Sequence, residues 1–219
     1  MTLDFRELLS RKYFTPDQAL LTSWISQPIG GIFAAGAFRL GLSPNAVTLI
    51  GLVCMLIGSI VFVQADTLAA ILLTACIWQI GFGLDCADGQ LARATKRQSS
   101  FGAWLDMACD HVRQGSICLA LPLISPGFLG IAAAFVLYSG CAVYLHTIVV
   151  IKKSAAPPMN LQSSAGLLRR VLKEILDTPA FLALLCLMRS APTQLAFFCL
   201  AYGFFTLARA VAIARLRLI

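Results

Sequence analysis

The sequence predicts an all-α integral membrane protein, with six transmembrane helices preceded by an N-terminal amphipathic, interfacial helical segment. Of the 219 residues, 59% are hydrophobic and only 12% are charged, whereas charged residues make up roughly a quarter of an ordinary soluble chain. The hydrophobic residues form long uninterrupted runs, and a helix needs about 20 such residues to cross the hydrocarbon layer of a bilayer. These observations exclude a water-soluble globule.

Residues 1–43 are predicted to form the N-terminal interfacial segment. In residues 3–13, apolar side chains recur at the spacing of one helix face, with charged side chains between them. This pattern is typical of a helix lying in the membrane surface. Residues 20–42 are nearly as apolar as a span, but Pro28, the Gly30-Gly31 pair and Arg39 interrupt them, which favours a bent re-entrant or interfacial helix.

Residues 44–219 are predicted to form one membrane domain with six spans. Ser43-Pro44-Asn45 is a helix start signal, and the later apolar runs are separated by Pro, Gly or charged residues. The predicted spans are 45–65, 68–92, 101–123, 127–151, 175–190 and 192–214. Between the fourth and fifth spans, residues 152–166 have the composition of a flexible linker.

Lysine and arginine residues indicate the orientation of these spans. With both termini inside, nearly all loop cations lie on the cytoplasmic side, and the outer loops hold only Arg189. Cytoplasmic loops of membrane proteins carry an excess of Lys and Arg. The tally therefore favours six spans with both termini in the cytoplasm. It also explains the net charge of +7 without a nucleic-acid partner.

Four aspartates fall inside the second and third predicted spans, near their cytoplasmic ends: Asp85, Asp88, Asp106 and Asp110. An Asp at the centre of a membrane helix costs about 2.5–3.5 kcal/mol on insertion scales. Two divalent cations would compensate such a cluster, and ligation by carboxylates alone favours Mg²⁺ or Mn²⁺. A non-enzymatic carrier of divalent cations or protons would also use buried carboxylates, so the cluster alone leaves both classes open.

The spacing of the aspartates predicts a single site. Residues three or four apart share one helix face, and the short 93–100 loop makes the two helices antiparallel neighbours. Small residues on the same faces, Gly89, Ala92 and Gly102, let a ligand or a facing backbone approach closely. Arg93 follows at the mouth of the cleft, where its planar guanidinium suits a phosphate.

Written out, residues 85–93 read Asp-Cys-Ala-Asp-Gly-Gln-Leu-Ala-Arg, followed by Gly102, Asp106 and Asp110 at fixed intervals. This pattern resembles the complete signature of the CDP-alcohol phosphotransferase (CDP-alcohol phosphatidyltransferase) family, with all eight fixed positions matched. Pro44-Asn45-x-x-Thr48 also resembles the usual entry of that family to its first span. A carrier has no need of Gly89, Ala92, Arg93 and Gly102 at these offsets, so the signature favours the enzyme.

The resemblance implies a metal-dependent membrane enzyme of phospholipid biosynthesis. Such an enzyme moves a substituted phosphate from a CDP-linked donor, usually CDP-diacylglycerol, to the hydroxyl of a small polar alcohol and releases CMP. It also implies two divalent cations, Mg²⁺ or Mn²⁺, contact with membrane lipids, a homodimer, and a cytoplasmic active site in a bacterial or archaeal inner or plasma membrane. The alternatives left open are a CDP-alcohol donor with a lipid acceptor, and an inositol phosphate acceptor.

The resemblance also implies a role for individual residues. Asp85, Asp88, Asp106 and Asp110 are the expected metal ligands, with Asp110 also the expected catalytic base. The expected CDP-binding residues are Asn45, Thr48, Asp88, Gly89, Ala92, Arg93 and Gly102. For binding the acceptor, the candidates are Arg113, Gln114, Lys152 and Lys153. For Arg113 and Gln114 the alternative role is ion pairing to the carboxylates. For the two lysines the alternative is the inside-positive charge bias and contact with anionic lipid head groups. His111 is expected to be a packing residue.

Overall fold

The structure, a computed structural model, describes residues 11–15, 18–153 and 177–218. All regular structure in these ranges is helical, as the sequence predicts. A 3₁₀ turn, Arg11–Tyr13, and a π-helical turn, Thr22–Ser26, precede seven α-helices. These are α1 (Gln27–Arg39), α2 (Pro44–Val63), α3 (Leu68–Thr95), α4 (Ser100–Ile124), α5 (Phe128–Lys153), α6 (Thr178–Leu187) and α7 (Pro192–Leu218).

Four of these helices are long and apolar enough to cross a membrane: α2, α3, and the segments Phe128–Val150 of α5 and Pro192–Arg215 of α7. They correspond to the predicted spans 45–65, 68–92, 127–151 and 192–214. The 25 residues of α4 coincide with the predicted span 101–123, and this helix carries Asp106, Asp110 and Arg113. The ten residues of α6 rise only about 15 Å, half of a typical hydrocarbon core.

Capping residues fix the ends of the two helices that begin the domain. The Ser43 hydroxyl accepts a hydrogen bond from the backbone N–H of Ala46 at 3.2 Å, and Pro44 occupies the first turn of α2, where no N–H is needed. The Thr67 hydroxyl caps α3 in the same way. At its other end, α3 stops at Lys96, which adopts a left-handed conformation with φ 55°.

Residues 22–39 are helical throughout, with a π-helical turn leading directly into α1, which ends at Arg39; the predicted bend of this helix stays a prediction. Pro28 lies in the first turn of α1, directly after the π-helical turn, and Gly30 and Gly31 continue the helix. A π-turn relaxes the hydrogen-bond register, which accommodates a missing N–H. The predicted amphipathic helix falls largely on residues 1–10, outside the described residues, as does most of the linker 152–166.

The described residues divide into two compact units. The first contains the chain up to Arg113 together with Asp177–Cys186, and the second contains Gln114–Lys153 and Leu187–Leu218. The predicted boundary at residue 43, between an interfacial segment and the membrane domain, is a different division of the chain and stays a prediction. In the first unit, α1, α2 and α3 pack around small side chains. The buried core cluster consists of Ala34, Ala35, Ala37, Val47, Ala87, Leu91 and Ala94.

Glycines let the backbones of the first unit approach closely. A Cβ atom at Gly30 of α1 would lie 2.7 Å from the Cβ of Cys86 and 3.1 Å from the carbonyl oxygen of Gly83 on α3. A Cβ at Gly81 of α3 would lie 2.8 Å from Met55 on α2. Small residues at such crossings are the usual means by which membrane helices pack. They hold α3, which carries half of the signature, against both neighbours.

The second unit also packs through a glycine. A Cβ at Gly203 of α7 would lie 2.6 Å from the backbone nitrogen of Leu137 on α5.

Outside the cores, the helices expose apolar side chains; on α2, Val53 is 54% and Ile60 60% exposed. Contiguous apolar surface of this kind is unfavourable in water, so these faces suit contact with lipid.

Two glycines of α1 give a matched test of the packing. We expect Gly30→Ala to lower the free energy of unfolding by about 1–3 kcal/mol, because overpacking forces α1 away from α3. At Gly36, a Cβ meets nothing within 4 Å, so Gly36→Ala is expected to raise it by about 0.5–1 kcal/mol through helix propensity. Thermal unfolding in detergent measures both, and equal melting temperatures for the two variants would contradict the close approach.

Candidate active site

The carboxylates of the signature meet where α3 and α4 face each other in the first unit. Asp85 of α3 and Asp106 and Asp110 of α4 each offer one oxygen, and these three oxygens lie within 4.8 Å of one another. The sequence places them so because Asp106 and Asp110 are one helical turn apart and the 96–99 turn folds α4 back along α3. Asp106 is exposed, while Asp85 and Asp110 are half-buried.

Arg113 ties the two helices together through this cluster. Its Nη1 lies 2.9 Å from Oδ1 of Asp85 on α3, and its Nη2 donates to Oδ1 of Asp110, one turn earlier on its own helix. The side chains of Arg113, Asp85 and Asp110 are 15%, 26% and 22% exposed. A pair this well shielded is screened less than a surface pair. Arg113 thus forms the ion pairs that the sequence left open, and its predicted role in binding the acceptor stays a prediction.

Asp88 lies one turn along α3 from Asp85 and is 7% exposed. It is not one of the three carboxylates that share the 4.8 Å cluster within the described residues. Its Oδ2 accepts a hydrogen bond of 2.5 Å from the Thr48 hydroxyl, which also donates toward the carbonyl oxygen of Pro44 at 3.1 Å. A charge-assisted hydrogen bond of this kind stabilises a buried carboxylate. Thr48 therefore links the start of α2 to the signature.

Asn45 and Gly102 lie beside each other where α2 and α4 begin. The backbone N–H of Gly102 donates to the Ser99 hydroxyl at 2.9 Å. A Cβ at Gly102 would lie 3.1 Å from that hydroxyl and 3.2 Å from Oδ1 of Asn45. The absence of a side chain at Gly102 thus leaves room for the Asn45 amide, which the sequence predicts to face the nucleotide.

Arg93 lies two helical turns beyond Asp85 and reaches toward the N-terminal segment. Its Nε donates to the carbonyl oxygen of Tyr13 at 2.8 Å, and its Nη2 donates to the Thr15 hydroxyl at 3.2 Å. The guanidinium also lies over Gly89, where a Cβ would be 3.2 Å from Nη1. Gly89 has no side chain and half-buried Ala92 has only a methyl group, so the guanidinium can lie along the surface of the helix.

The remaining predicted residues lie elsewhere. Gln114 begins the second unit, and its amide lies 3.7 Å from Sγ of Cys118 on the same helix. Lys152 and Lys153 end α5, and their side chains are outside the described part of the chain. His111 is half-buried on α4. The proposed roles of these residues in binding an acceptor therefore stay predictions.

Sequence reasoning missed the polar groups that bond to Arg93 or are linked to it through further hydrogen bonds: Tyr13, Thr15, Gln27 and Gln90. Gln27 is 2% and Gln90 0% exposed. A polar side chain in an apolar run needs a buried hydrogen-bond partner, and Gln27 stands in such a run, whereas Gln90 lies within the charged signature. That signal was available in the sequence, but the identity of the partners was not.

The donor set fits a hard divalent cation. Three carboxylate oxygens within 4.8 Å of one another offer only oxygen ligands, which Mg²⁺ and Mn²⁺ prefer to nitrogen or sulfur. When all three are ionised, Arg113 offsets one of the three negative charges. The arrangement therefore still favours a cation.

Comparison with known proteins agrees with this geometry. The sequence model of the CDP-alcohol phosphatidyltransferase family matches residues 41–215, which include the helices that carry the carboxylates. The chain belongs to this family. The family match confirms the resemblance of the 85–110 signature.

Curated relatives of this CDP-alcohol phosphatidyltransferase family member match it over shorter stretches. Archaetidylinositol phosphate synthase from Pyrococcus horikoshii is 40% identical over 100 residues, 45% of this chain and 50% of the relative. Phosphatidylinositol phosphate synthase from Mycobacterium marinum is 36% identical over 84 residues, 38% of this chain and 35% of the relative. The matches thus span at most half the length of these relatives.

Solved structures of the family share the fold. The crystal structure of apo phosphatidylinositol phosphate synthase from Mycobacterium tuberculosis superposes with a TM-score of 0.57 at 20% identity, covering 84% of this chain and 94% of that chain. The same protein with CDP-DAG bound gives a TM-score of 0.56 at 20% identity, covering 87% and 94%. At this identity the likeness concerns the fold alone.

The hydrogen bond between Thr48 and Asp88 gives a prediction for stability. We expect Thr48→Val to lower the free energy of unfolding by about 1–3 kcal/mol, because it leaves a buried carboxylate without this donor. Thr48→Ser keeps the hydroxyl and serves as the control. Thermal unfolding in detergent with a chelator present measures both. Equal melting temperatures for the Val and Ser variants would show that this bond does not stabilise the fold.

Proposed function

We propose that this family member is an integral membrane enzyme that transfers a substituted phosphate from a CDP-linked lipid to a hydroxyl of an inositol phosphate, releasing CMP. The observation that carries the proposal is the meeting of Asp85, Asp106 and Asp110 within 4.8 Å. Carboxylates gathered in an apolar helical unit are costly unless cations and a ligand use them. In a member of this family, that ligand is the diphosphate of a CDP-linked donor.

Asp85, Asp106 and Asp110 are proposed to hold divalent cations, with Asp88 completing the ligand set. When bound, Mg²⁺ or Mn²⁺ would draw negative charge from the diphosphate and from the departing CMP. A pair of cations matches the four carboxylates best in charge. The number of cations and the choice between the two metals are part of the proposal.

The groups around Arg93 are proposed to receive the donor. The small residues Gly89 and Ala92 leave room for a nucleotide next to the Arg93 guanidinium, which suits a diphosphate oxygen. Asn45 and Thr48 would contact the same ligand from the start of α2, with Gly102 leaving room for the Asn45 amide. The solved structure with CDP-DAG bound, which has a similar fold, supports CDP-diacylglycerol or a related CDP-linked lipid as donor.

Asp110 is proposed as the base that takes the proton from the acceptor hydroxyl. It is half-buried, and its Oδ1 is held by Arg113, which fixes the orientation of the carboxylate. Proton removal then accompanies formation of the new phosphorus–oxygen bond, while the bond to CMP breaks. Positioning and charge stabilisation carry most of the catalysis in such transfers.

The choice of an inositol phosphate acceptor rests on the names of the curated relatives, which are synthases of inositol phosphate lipids. It is narrower than the small polar alcohol expected from the sequence. Arg113, Gln114, Lys152 and Lys153 supply cationic or amide groups that could bind a phosphorylated acceptor. Of these, Arg113 is engaged by Asp85 and Asp110, so an acceptor phosphate would have to compete with these carboxylates.

The membrane arrangement belongs to the same proposal. We propose that α4 and α6 add to the four candidate spans to give six, with both termini and the active site on the cytoplasmic side. In α4, 25 residues rise about 37 Å, enough to cross, and its charged residues gather in the site. For α6 the proposal rests on the alternation of Lys and Arg between loops. A homodimer and a bacterial or archaeal membrane are expected from the family resemblance.

The activity is tested by release of CMP from purified protein in mixed micelles. We expect CMP release that requires both CDP-diacylglycerol, or CDP-archaeol, and inositol 1-phosphate, and that stops when EDTA removes the metal. Glycerol 3-phosphate, free inositol and serine are the competing acceptors in the same assay. Mg²⁺ or Mn²⁺ added back should restore the activity.

The panel separates the alternatives. Release of CMP with another acceptor alone would keep the enzyme class and overturn the inositol phosphate assignment. Binding of divalent cations without CMP release under any combination, together with cation flux into proteoliposomes, would favour a carrier instead.

The role of Asp110 has its own test. We expect Asp110→Asn to reduce CMP release by at least about 10³-fold, because the amide cannot accept the proton, a loss at the scale of general-base catalysis. Binding of CDP, measured by calorimetry with Mg²⁺ present, should stay within about threefold of the unchanged protein. An Asp110→Asn variant with near-normal turnover would remove the base assignment.

A further inference from the structure

Arg93 is held by a closed chain of polar contacts that begins and ends on α3. Gln90 and Arg93 stand one turn apart on that helix, and the chain between them passes through α1 and the N-terminal segment. All members belong to the first unit. Each contact is a hydrogen bond of ordinary length, between 2.8 and 3.2 Å.

Gln27 is the centre of this chain. Its side-chain amide makes two hydrogen bonds to the backbone of Thr15: Oε1 accepts from the N–H at 2.9 Å, and Nε2 donates to the carbonyl oxygen at 2.8 Å. Gln27 is 2% exposed, so its amide has no water as an alternative partner. The amide of a glutamine carries both the donor and the acceptor that this pairing requires.

Gln90 fixes the other side of Gln27. Its Nε2 donates to the backbone carbonyl of Gln27 at 2.9 Å, and Gln90 is fully buried. This carbonyl lies in the first turn of α1, next to the π-helical turn. The bond therefore anchors the beginning of α1 to α3, at the level of the signature.

The chain ends on the Arg93 guanidinium. Thr15, whose backbone is bonded to Gln27, accepts from Nη2, and Tyr13, two residues earlier in the same segment, accepts from Nε. These bonds use two of the five N–H donors of a guanidinium and leave the Nη1 side, which lies over Gly89, for a ligand. Ordering a long side chain at the moment of binding costs conformational entropy, and a guanidinium that is already oriented avoids that cost.

We infer that Gln27 is a positioning residue for the donor site: through Thr15 and Tyr13 it orients Arg93 toward the diphosphate of the CDP-linked substrate. The inference rests on the proposed function for the identity of the ligand. Gln27 does not itself touch the substrate. It acts on binding of the nucleotide and not on the transfer step, because the groups that it orients serve the donor in its ground state and in the transition state alike.

Three variants test the inference. Gln27→Met keeps the length of the side chain and removes both hydrogen bonds to Thr15. Thr15→Val removes the hydroxyl that accepts from Arg93, while Thr15→Ser keeps it. Thr15 is exposed, so its variants leave folding intact even if Gln27→Met does not. Gln64→Met is the matched control, since Gln64 is exposed and ends α2 at its far end.

The expected result is a change in donor affinity alone. For Gln27→Met and Thr15→Val, we expect the Kd for CDP with Mg²⁺ and the KM for the CDP-linked lipid to rise about fivefold, the scale of one or two lost hydrogen bonds. kcat should stay within about twofold, as for loss of uniform binding. Thr15→Ser and Gln64→Met should match the unchanged protein.

A double-mutant cycle distinguishes positioning from a general structural role. If Gln27 acts through Arg93, then Gln27→Met should add little to the loss already caused by Arg93→Lys, because the two changes remove the same interaction. Losses that add in full would overturn the inference. So would unchanged CDP affinity in both Gln27→Met and Thr15→Val, or a loss in Thr15→Ser equal to that in Thr15→Val.

The binding measurement separates the inference from the proposed function. If the protein without substitutions binds CDP, and Gln27→Met weakens this binding as expected, but no CMP is released, only the proposed transfer is contradicted. An unchanged protein that transfers phosphate normally while Gln27→Met behaves like Gln64→Met would contradict only the inference. An unchanged protein that binds no CDP would overturn both.

Discussion

Carboxylates that meet inside an apolar helical unit need positive charge close by, and this constraint governs the arrangement around Asp85, Asp106 and Asp110. Their oxygens lie within 4.8 Å of one another, so ionisation of all three is unfavourable unless cations are present. Arg113 supplies one positive charge from within the chain and bridges two helices in doing so. The remaining negative charge is what makes the site suitable for a divalent cation.

The helices can bring these groups together because their backbones come close. Gly30 and Gly81 allow α1 and α2 to approach α3 to distances that a Cβ would prevent. Van der Waals packing of small residues is the main attraction between helices in lipid, where burial of apolar surface contributes little. The same glycines thus stabilise the unit and set the positions of Asp85, Asp88 and Arg93 on α3.

Hydrogen bonds from neighbouring segments then orient side chains of the signature. Thr48 of α2 holds Asp88, and Gln27 of α1 holds the segment that accepts from Arg93. Such surrounding groups keep a site in its productive geometry before the ligand arrives. They lie outside the stretch 85–110 that carries the family signature.

The sequence by itself determined the helical class, the start of α2, the four candidate spans and the family, because these depend on local composition, capping residues and fixed spacing. The meeting of Asp85 with Asp106 and Asp110 also follows from helical spacing and a short turn. Only the tertiary structure decided that Arg113 pairs with Asp85, that α1 crosses α3 at Gly30, and that Gln27 bonds to the backbone of Thr15, whose hydroxyl accepts from Arg93. These contacts join residues far apart in the chain, and periodicity contains no information about which faces of separate helices come together.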